Sequence, residues 1–364
     1  MGLIRITERW RGTRGGFYVY VVEGDKLIHI SNYAKRTLPG KWEDEVMYEV
    51  SGDVLKDKVL YCFDYSRKGG AFLIKCNIND FVDGELKRYD YLESLNKRVQ
   101  EIRNLEFFVK NRKLLSLMSQ FKQVFIPMVE EIKSYEKVKG FKLSFRGHQA
   151  RLEEVFRDPI LYYFTSMSLP RDRSRVTSLK IVRRWIYQLW VLKLLCEALN
   201  VSRFKGHEFR GIPRWYIEQG SAFSTAIAET PFGDVTFWIE FQPGVAAHMI
   251  GMFIGRRIPI RPDIVAVRGH FLTTDDFLDS GKPIDLLIEC KEGPFDTWRE
   301  DIQKQIIPYK EIFKPNNLIL VSLEYVPTNV KSELDSLGIK VIDNLRPRGK
   351  NIEIFRDIIR EVFR

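Results

Sequence analysis

The stretch that decides the fold of this chain is PIDLLIECKEGP, residues 283–294. Its apolar run, bounded by Pro and Gly, predicts a β-strand that ends among charged side chains. Because side chains alternate between the two faces of a strand, one face is apolar and the other becomes polar towards the carboxyl end. The apolar face carries Ile284, Leu286, Ile288 and Cys290, and the opposite face carries Asp285, Leu287, Glu289 and Lys291. Charges at the edge of an apolar core are unfavourable unless they are paired, so Glu289 and Lys291 need partners or a function.

The strand predicted before this one is RPDIVAV, residues 261–267, in which Asp263 opens an apolar run. If the two strands pair antiparallel, the start of one lies beside the end of the other. Asp263 is then expected next to Glu289 and Lys291. The sequence therefore predicts two carboxylates and one ammonium at one end of a sheet.

This combination of side chains suits a particular chemistry. Hard oxygen ligands hold Mg²⁺ or Mn²⁺, and Mg²⁺ retains several waters and binds the oxygens of substrate phosphates. A bound cation lowers the pKa of its water and offsets charge in the transition state, and a nearby ammonium can orient or help to deprotonate the attacking water. The residues thus indicate metal-dependent hydrolysis of phosphodiester bonds.

With Pro262-Asp263 opening one strand and Glu289-Cys290-Lys291 ending the next, the chain resembles the PD-(D/E)xK nuclease superfamily. The resemblance implies a restriction-endonuclease-like α/β fold, in which a central mixed sheet is flanked by helices. It assigns metal binding to Asp263, Glu289 and the backbone carbonyl of Cys290, and assistance of the attacking water to Lys291. Two other Glu-x-Lys tripeptides occur in the chain, but neither ends an apolar strand.

The helix predicted after this strand carries a further match. Gln305 and Tyr309 are four residues apart, hence on one helical face. They resemble the QxxxY element of RecB-type nucleases, where it supports the active site or contributes to DNA binding. The resemblance implies a supporting role for both residues, and a half-buried helix face without catalytic meaning is the alternative.

The same superfamily often places an acidic residue on the helix before the sheet. In the aromatic helix predicted to run from about Thr177 to about Asn200, Glu197 shares a face with three large apolar residues. Glu197 is therefore a candidate metal ligand or a neighbour of the ligands. Glu229 and Glu240, both in predicted strands, compete with it, and a simple salt bridge is an equal alternative for each.

A weaker similarity, over roughly residues 175–325, is to the nuclease subunits of McrC-type restriction systems. It implies DNA as the substrate, a role in restriction and defence or in DNA repair, and an NTP-driven motor subunit as a partner. The chain has no GxxxxGK[ST] motif, so any NTP dependence is expected to come from that partner. Since cutting both strands of a duplex usually takes two active sites, a homodimer is a further expectation.

A basic segment precedes and enters the aromatic helix. One interpretation is a solvated helix entry, and the other is contact with the phosphates of a nucleic acid. The second interpretation assigns nucleic-acid binding to Arg171, Arg173, Arg175, Arg183 and Arg184.

The composition and the spacing of apolar residues divide the chain into three parts. We predict a β-rich N-terminal domain (1–90), a helical connecting region (91–165) and a nuclease domain (170–364). The first contains two hairpins, around Glu23-Gly24-Asp25 and Gly69-Gly70. The spacing of apolar residues over 89–121 predicts a helix or a helical pair. Pro127 is expected to interrupt the helical pattern that continues beyond this stretch. The N-terminal half carries no recognisable motif and is expected to select DNA or a protein partner.

Composition bounds the function further. The formal net charge of +10 and the pI of about 9.3 favour a polyanionic partner. The four cysteines lie far apart, which indicates neither a disulfide framework nor a zinc site. No stretch approaches the roughly 20 apolar residues of a membrane span, so we expect no membrane contact and a cytoplasmic location.

Two other functions stay open. One is a catalytically inactive nucleic-acid-binding or assembly subunit that keeps the nuclease fold, although all three signature positions carry chemically competent residues. The other is an RNA-directed, ligand-activated effector nuclease, although nothing in residues 1–165 resembles a nucleotide-binding loop.

Overall fold

Strands form in this chain where β-branched and aromatic residues dominate, and helices form where apolar residues recur at three and four. In a computed structural model, the chain divides into two units. The structure describes residues 2–10, 15–66, 70–82, 85–86, 105–107, 112–147, 149, 152–159, 162–163, 172–243 and 261–364. The N-terminal unit comprises residues 1–117 and 160–176, and the C-terminal unit comprises residues 118–159 and 177–364. The predicted boundaries differ from this division, which places 118–159 with the C-terminal residues.

The N-terminal unit contains an eight-stranded sheet with the path β10-β3-β2-β1-β5-β4, in which β6 pairs with both β2 and β7. Its strands are β1 (Leu3–Trp10), β2 (Gly15–Glu23), β3 (Lys26–His29), β4 (Ala34–Pro39), β5 (Glu45–Ser51), β6 (Leu60–Ser66), β7 (Gly70–Cys76) and β10 (Glu106–Phe107). The short strands β8 (Phe81–Val82) and β9 (Glu85–Leu86) pair separately, and α1 (Gly52–Leu55) follows β5.

Both predicted hairpins are present in this sheet. β2 and β3 pair antiparallel around Gly24, whose positive φ of 59° suits a tight turn. β6 and β7 also pair antiparallel, and the residues between them, 67–69, lie outside the described residues. The core between these strands is apolar and includes the fully buried Val19, Val21 and Cys62.

The predicted helix over 89–121 is only partly found. Most of that stretch lies outside the described residues, and Glu106–Phe107 forms strand β10 instead of helix. The helix prediction is wrong at β10, since pairing with β3 gives these two residues backbone partners that the local pattern does not reveal. Helix α2 (Arg112–Gln120) then follows.

The predicted interruption at Pro127 is not found, and the helical path continues through this residue. α2 passes through a π-helical turn at Phe121–Phe125 directly into α3 (Ile126–Lys139). Pro127 lies in the first turn of α3, where a missing backbone N–H is tolerated. Gly140, in the left-handed conformation at φ 68°, ends this helix.

The C-terminal unit is built on a mixed seven-stranded sheet in the order β12-β14-β15-β16-β17-β18-β19. The strands from β12 to β17 pair antiparallel, and β17, β18 and β19 run parallel. They are β12 (Arg203–Lys205), β14 (Ala226–Thr230), β15 (Gly233–Ile239), β16 (Ile264–Arg268), β17 (Leu286–Lys291), β18 (Asn317–Ser322) and β19 (Ile339–Ile342). A separate parallel pair joins β11 (Lys142–Phe145) to β13 (Arg214–Ile217). The predicted mixed α/β fold with a mixed sheet is confirmed at this level.

Helices complete the C-terminal unit. They are α4 (Leu152–Arg157), α5 (Asp172–Ala198), α6 (Thr274–Asp279), α7 (Ile307–Phe313), α8 (Thr328–Ser336) and α9 (Asn351–Val362). The first residues of α5, up to Val176, belong to the N-terminal unit. The aromatic helix α5 begins at Asp172, before the predicted start near Thr177. Pro308 lies in the first turn of α7 after a π-helical turn at Ile302–Ile306. One face of the sheet packs against this segment in a core that includes Trp238, Leu287 and Leu320.

None of the helices in the described part of the chain has the length and apolar character that a membrane span requires.

Candidate functional site

Strand pairing brings the predicted catalytic residues together. β16 and β17 pair antiparallel with Ile264 opposite Ile288, as the alternation predicts, so Asp263 falls beside Glu289. The backbone N–H of Cys290 donates to Oδ2 of Asp263 over 2.7 Å. Asp263 is thereby fixed in orientation by the backbone of the neighbouring strand.

Lys291 sits at the centre of a group of oxygen acceptors. Its Nζ lies 3.0 Å from Oε1 of Glu289 and 2.7 Å from Oδ2 of Asp301. It also donates to Oε1 of Gln305 over 3.3 Å. Gln305 therefore reaches the predicted site, while Asp301 is a contact that the sequence reasoning missed.

Tyr309 is placed beside the site through the backbone. Its hydroxyl donates to the carbonyl oxygen of Arg261, two residues before Asp263, over 3.0 Å. Burial, with Glu289 and Asp263 nearby, raises the pKa of Tyr309, so its hydroxyl keeps its proton. From one helical segment, Gln305 thus contacts Lys291, and Tyr309 contacts the backbone just before strand β16.

A second set of contacts comes from helix α5. Gln188, which is fully buried, donates through Nε2 to Oδ1 of Asp263 over 2.6 Å and to Oε1 of Glu240 over 3.1 Å. Arg184, one turn earlier, donates to the same oxygen of Glu240 over 2.7 Å. Arg261 also approaches Glu240, at 3.8 Å. Glu240, one of the two competing acids, is therefore the third carboxylate of the site.

The electrostatics of the site are those of buried, mutually repelling carboxylates. Asp263, Glu289 and Lys291 are 7%, 3% and 7% exposed. Burial is the main reason that the pKa of Asp263 lies well above its usual range, and Glu289 and Glu240 raise it further. Burial also raises the pKa of Glu289, although Lys291 opposes the shift. Burial alone lowers the pKa of Lys291, but Glu289 and Asp263 outweigh it and the pKa rises, so Lys291 stays protonated.

Two buried oxygens at the site have no hydrogen-bond donor among the described residues. They are Oε2 of Glu289 and Oε1 of Gln188. A buried carboxylate oxygen without a donor is unfavourable, and a cation relieves it. Across the part of the chain that the structure describes, no cluster of three or more His, Cys, Asp and Glu side chains is arranged as a metal site. The pair Asp263 and Glu289 nevertheless fits Mg²⁺ or Mn²⁺, because Mg²⁺ is held by one or two protein carboxylates and keeps several waters.

Glu197 does not join this site, and its prediction as a metal ligand is corrected. Its carboxylate forms ion pairs with Lys193 at 2.8 Å and with Arg356 at 3.1 Å. Glu197 lies nine residues after Gln188, which is two and a half turns, so the two face opposite sides of α5. Glu229 is also elsewhere, paired with Arg203 and Lys205.

The five predicted nucleic-acid-binding arginines have different outcomes. Arg171 and the side chains of Arg173 and Arg175 lie outside the described residues. Arg183 is 4% exposed and donates to the carbonyl of Glu292 over 3.0 Å, so the prediction that it binds phosphate is corrected. Arg184 keeps a partly exposed side chain beside Glu240.

Two contacts that the sequence reasoning missed left a signal in the spacing of residues. Gln188 is a polar residue inside an apolar helical run and lies four residues after Arg184, on the same face. Asp301 lies four residues before Gln305, as Tyr309 lies four after it. Extending each pattern by one turn would have found both residues.

Comparison with known proteins gives no match, either to a family model, to a curated protein or to a solved structure.

Proposed function

We propose that this chain is a divalent-cation-dependent nuclease that hydrolyses phosphodiester bonds of DNA, with a restriction-endonuclease-like domain in its C-terminal part. The observation that carries the proposal is the convergence of Asp263, Glu289 and Lys291 at one end of two adjacent strands, where Oε2 of Glu289 has no donor among the described residues. Buried charges of this kind are unfavourable for folding alone, so a function accounts for them better than stability does.

The carboxylates supply the cation-binding side of the site. Asp263 and Glu289, with the backbone carbonyl of Cys290, would hold Mg²⁺ or Mn²⁺. When bound, the cation would contact phosphate oxygens, activate water and offset charge in the transition state. The N–H of Cys290 and the amide of Gln188 hold Asp263 in a fixed orientation beside Glu289.

Lys291 acts through its positive charge and does not serve as the base that deprotonates water. It stays protonated because Glu289, Asp263 and Asp301 surround it. Its ammonium is held at Nζ by Asp301 and Gln305, and in that position its positive charge can stabilise the negative charge that develops on a phosphate oxygen. This refines the two roles that the sequence left open for this residue, orientation of water or its deprotonation.

The biological setting follows from the resemblance and from charge. A net charge of +10 suits a nucleic-acid substrate, and restriction, defence or DNA repair are the settings that the resemblance implies. An NTP-driven motor subunit and a second copy of the chain remain part of the proposal as partners.

Cleavage assays on the purified chain test the proposal. We expect Mg²⁺- or Mn²⁺-dependent cleavage of single-stranded, duplex or branched DNA. Asp263→Ala and Lys291→Ala should each lower the rate by roughly 10²- to 10³-fold, because the first removes a ligand of the cation and the second removes a positive charge that stabilises the transition state. Glu197→Gln is the matched control, since it changes an acid of the same unit that lies away from the site.

Two results would contradict the proposal. Equal activity of the wild type and both variants would show that the cleavage comes from a contaminant. A well-folded wild-type chain that binds DNA but cleaves neither DNA nor RNA, alone or with a motor partner, would favour the inactive binding subunit.

A further inference from the structure

A second group of side chains lies on the C-terminal unit and takes no part in the proposed catalysis. It consists of three aromatic rings and three arginines, and we refer to it as the aromatic–arginine surface. Its members are Phe209, Tyr216, Phe223, Arg146, Arg210 and Arg214. Phe209 and Phe223 are 51% and 49% exposed, which is unusual for rings of this size.

A tight hairpin presents Phe209. The N–H of Phe209 donates to the carbonyl of Ile212 over 3.0 Å, and the N–H of Ile212 donates back over 3.1 Å. Between them Arg210 and Gly211 have positive φ angles of 54° and 74°, as a type I′ turn requires. The two reciprocal hydrogen bonds close this turn beside Phe209, whose ring is half exposed to solvent.

The arginines stack on the rings. The guanidinium of Arg214 lies 4.4 Å from the ring centroid of Phe209, and that of Arg210 lies 5.3 Å from it. Arg146 lies 4.2 Å from the ring centroid of Tyr216. Arg214 and Tyr216 are two residues apart on β13 and so share a face, which makes the two stacks neighbours.

His207 links these stacks to Phe223. Its ring centroid lies 4.7 Å from that of Tyr216 and 5.8 Å from that of Phe223. Burial lowers the pKa of His207, and Arg146 and His270 lower it further, so the ring is neutral near pH 7. A run of π faces and planar cations therefore extends from Phe209 to Phe223.

The positive charge of this surface has no carboxylate partner in the part of the chain that the structure describes. Among the described residues, Arg146, Arg210 and Arg214 form no ion pair, and the buried Nε of Arg214 has no acceptor. Glu208 and Glu218, the acids nearest in sequence to Arg210 and Arg214, form no ion pair with any of the three arginines within the described part of the chain. Free guanidinium donors beside exposed rings complement an anionic ligand that also carries flat, apolar faces.

Single-stranded nucleic acid is the ligand with that chemistry. Its bases expose π faces that stack on aromatic rings and on guanidinium planes, and its phosphates accept from arginine. In a duplex the same faces are covered by neighbouring bases, so a duplex uses only the arginines. We infer that the aromatic–arginine surface binds a single-stranded segment of nucleic acid.

The placement of this surface connects it to the proposed active site. Two residues after Phe223, Thr225 donates to the carbonyl of Phe237 over 2.8 Å, and its hydroxyl accepts from the N–H of Ile239 over 2.8 Å. Ile239 is followed by Glu240, whose N–H donates to the carbonyl of Asp263. Thr225, which follows Phe223 by two residues, therefore lies at the end of the sheet that holds the carboxylates. The inference extends the proposed function, but it concerns binding and does not require cleavage.

Binding without metal separates this inference from catalysis. In EDTA, fluorescence anisotropy with a labelled single-stranded DNA of about 15 nucleotides, near the upper site size of a single binding module, should show binding by the full chain. The double variant Phe209→Ala/Phe223→Ala should weaken this binding by about tenfold or more, since removal of a single stacking ring typically reduces affinity several-fold. Arg146→Ala should lower the slope of log affinity against log salt by about 0.7, because one fewer phosphate is neutralised.

Matched variants control for general effects. Phe232→Ala changes an exposed phenylalanine on another tight turn of the same unit, and Arg346→Ala changes an exposed arginine elsewhere; both should bind as the wild type does. Melting temperatures measured for every variant separate weaker binding from impaired folding, and Arg146→Ala, a surface change, remains informative if the phenylalanine variant fails to fold.

Several results would overturn the inference. They are an absence of oligonucleotide binding by the wild type, equal affinity of the Phe209→Ala/Phe223→Ala variant, and equal reductions in affinity for single-stranded and duplex DNA. Self-association of the chain that depends on Phe209, without oligonucleotide binding, would identify the surface as an interface between copies instead.

Other results would support the inference. Binding of single-stranded RNA, with the same losses of affinity in the variants, supports it because the stacking chemistry is shared. Loss of cleavage in Asp263→Ala with unchanged oligonucleotide binding shows that the two proposals stand separately.

Discussion

At the scale of single residues, the carboxylates of Asp263 and Glu289 differ in their hydrogen bonds. Each oxygen of Asp263 accepts one hydrogen bond, from the amide of Gln188 and from the N–H of Cys290. Glu289 accepts from Lys291 on one oxygen and, within the described part of the chain, has no donor on the other. The unsatisfied oxygen is the position at which a cation relieves the largest penalty, so Glu289 is the residue through which cation binding should be most visible in stability.

The first prediction concerns this coupling. Mg²⁺ or Mn²⁺ at about 100 times its dissociation constant should stabilise the wild type by about 2.7 kcal/mol, and Glu289→Gln should lose most of that gain. Thermal unfolding in EDTA and with added cation measures it. Glu197→Gln, which changes an acid that lies away from the site, is the control. A cation-induced rise in Tm that is equal in wild type and Glu289→Gln would place the cation elsewhere.

The second prediction is a pH dependence of the metal-free chain. The pKa values of Asp263 and Glu289 are raised on folding from ordinary values of 3.8 and 4.5, so the folded state holds protons that the unfolded chain has released. Stability therefore falls as the pH rises from about the ordinary values through the raised ones. Urea midpoints in EDTA across this range should decline, and Glu289→Gln should flatten the decline. A midpoint that is independent of pH in both proteins would show that the buried pair does not titrate in this way.

The third prediction concerns Gln188 as a positioning residue. Gln188→Leu removes the donor that orients Asp263, and loss of such a support typically lowers metal affinity or activity by about 10- to 100-fold. Titration with Mn²⁺ and the metal dependence of cleavage both report it. Gln120→Leu is the matched control, because Gln120 also donates to a carboxylate, Glu324, outside the site. Reduced activity with unchanged metal affinity would point to another role for the amide.

At the scale of elements, helix α5 delivers different side chains to different neighbours. Arg184 and Gln188 share the face that meets Glu240, whereas Glu197 faces Lys193 and Arg356. A helical wheel places Glu197 on an apolar stripe but does not say which element the stripe meets. The sheet-borne Glu240 was the better candidate because the end of β15 lies beside the entry of β16.

The fourth prediction separates the two acids. Glu197→Gln should leave metal-dependent cleavage unchanged and cost at most about 1 kcal/mol of stability, as is typical of partly exposed ion pairs. Glu240→Gln should lower cleavage by about tenfold or more, because Arg184 and Gln188 lose the carboxylate that holds them. Cleavage rates and urea unfolding of both variants measure this. Equal rates for the two variants would contradict the assignment.

The elements that could be predicted from the sequence are those with local causes. The alternation in β16 and β17 predicts their faces, and their order predicts the meeting of Asp263 with Glu289. By contrast, the interruption predicted at Pro127 is wrong, since a π-helical turn before this residue keeps the helical path continuous. Strand β10 was also hidden, since it depends on pairing with β3, which is distant in sequence.

At the scale of the whole molecule, the two units differ in what their sequences reveal. The C-terminal unit concentrates buried charge at one end of two interior strands of its sheet, which is why its chemistry can be argued from sequence. The N-terminal unit pairs its acids with nearby partners, such as Glu49 with Arg5 at 3.1 Å and Glu8 with the N–H of Val19 at 2.7 Å. These contacts have a structural explanation, so selection of DNA or of a protein partner remains a proposal for this unit.

The last prediction follows from this division. A fragment of residues 118–364 contains the whole seven-stranded sheet, its core, helix α5 and every residue of the proposed site. We expect it to unfold cooperatively and to retain metal-dependent cleavage, because the buried contacts that orient Asp263, Glu289 and Lys291 all lie within it. Substrate preference should change, since the part proposed to select the substrate is removed. Circular dichroism melts and cleavage of single-stranded, duplex and branched DNA compare the fragment with the full chain, and Lys291→Ala in the fragment controls for contaminating activity. A folded but inactive fragment, beside an active full chain, would show that the N-terminal unit contributes to the catalytic reaction itself.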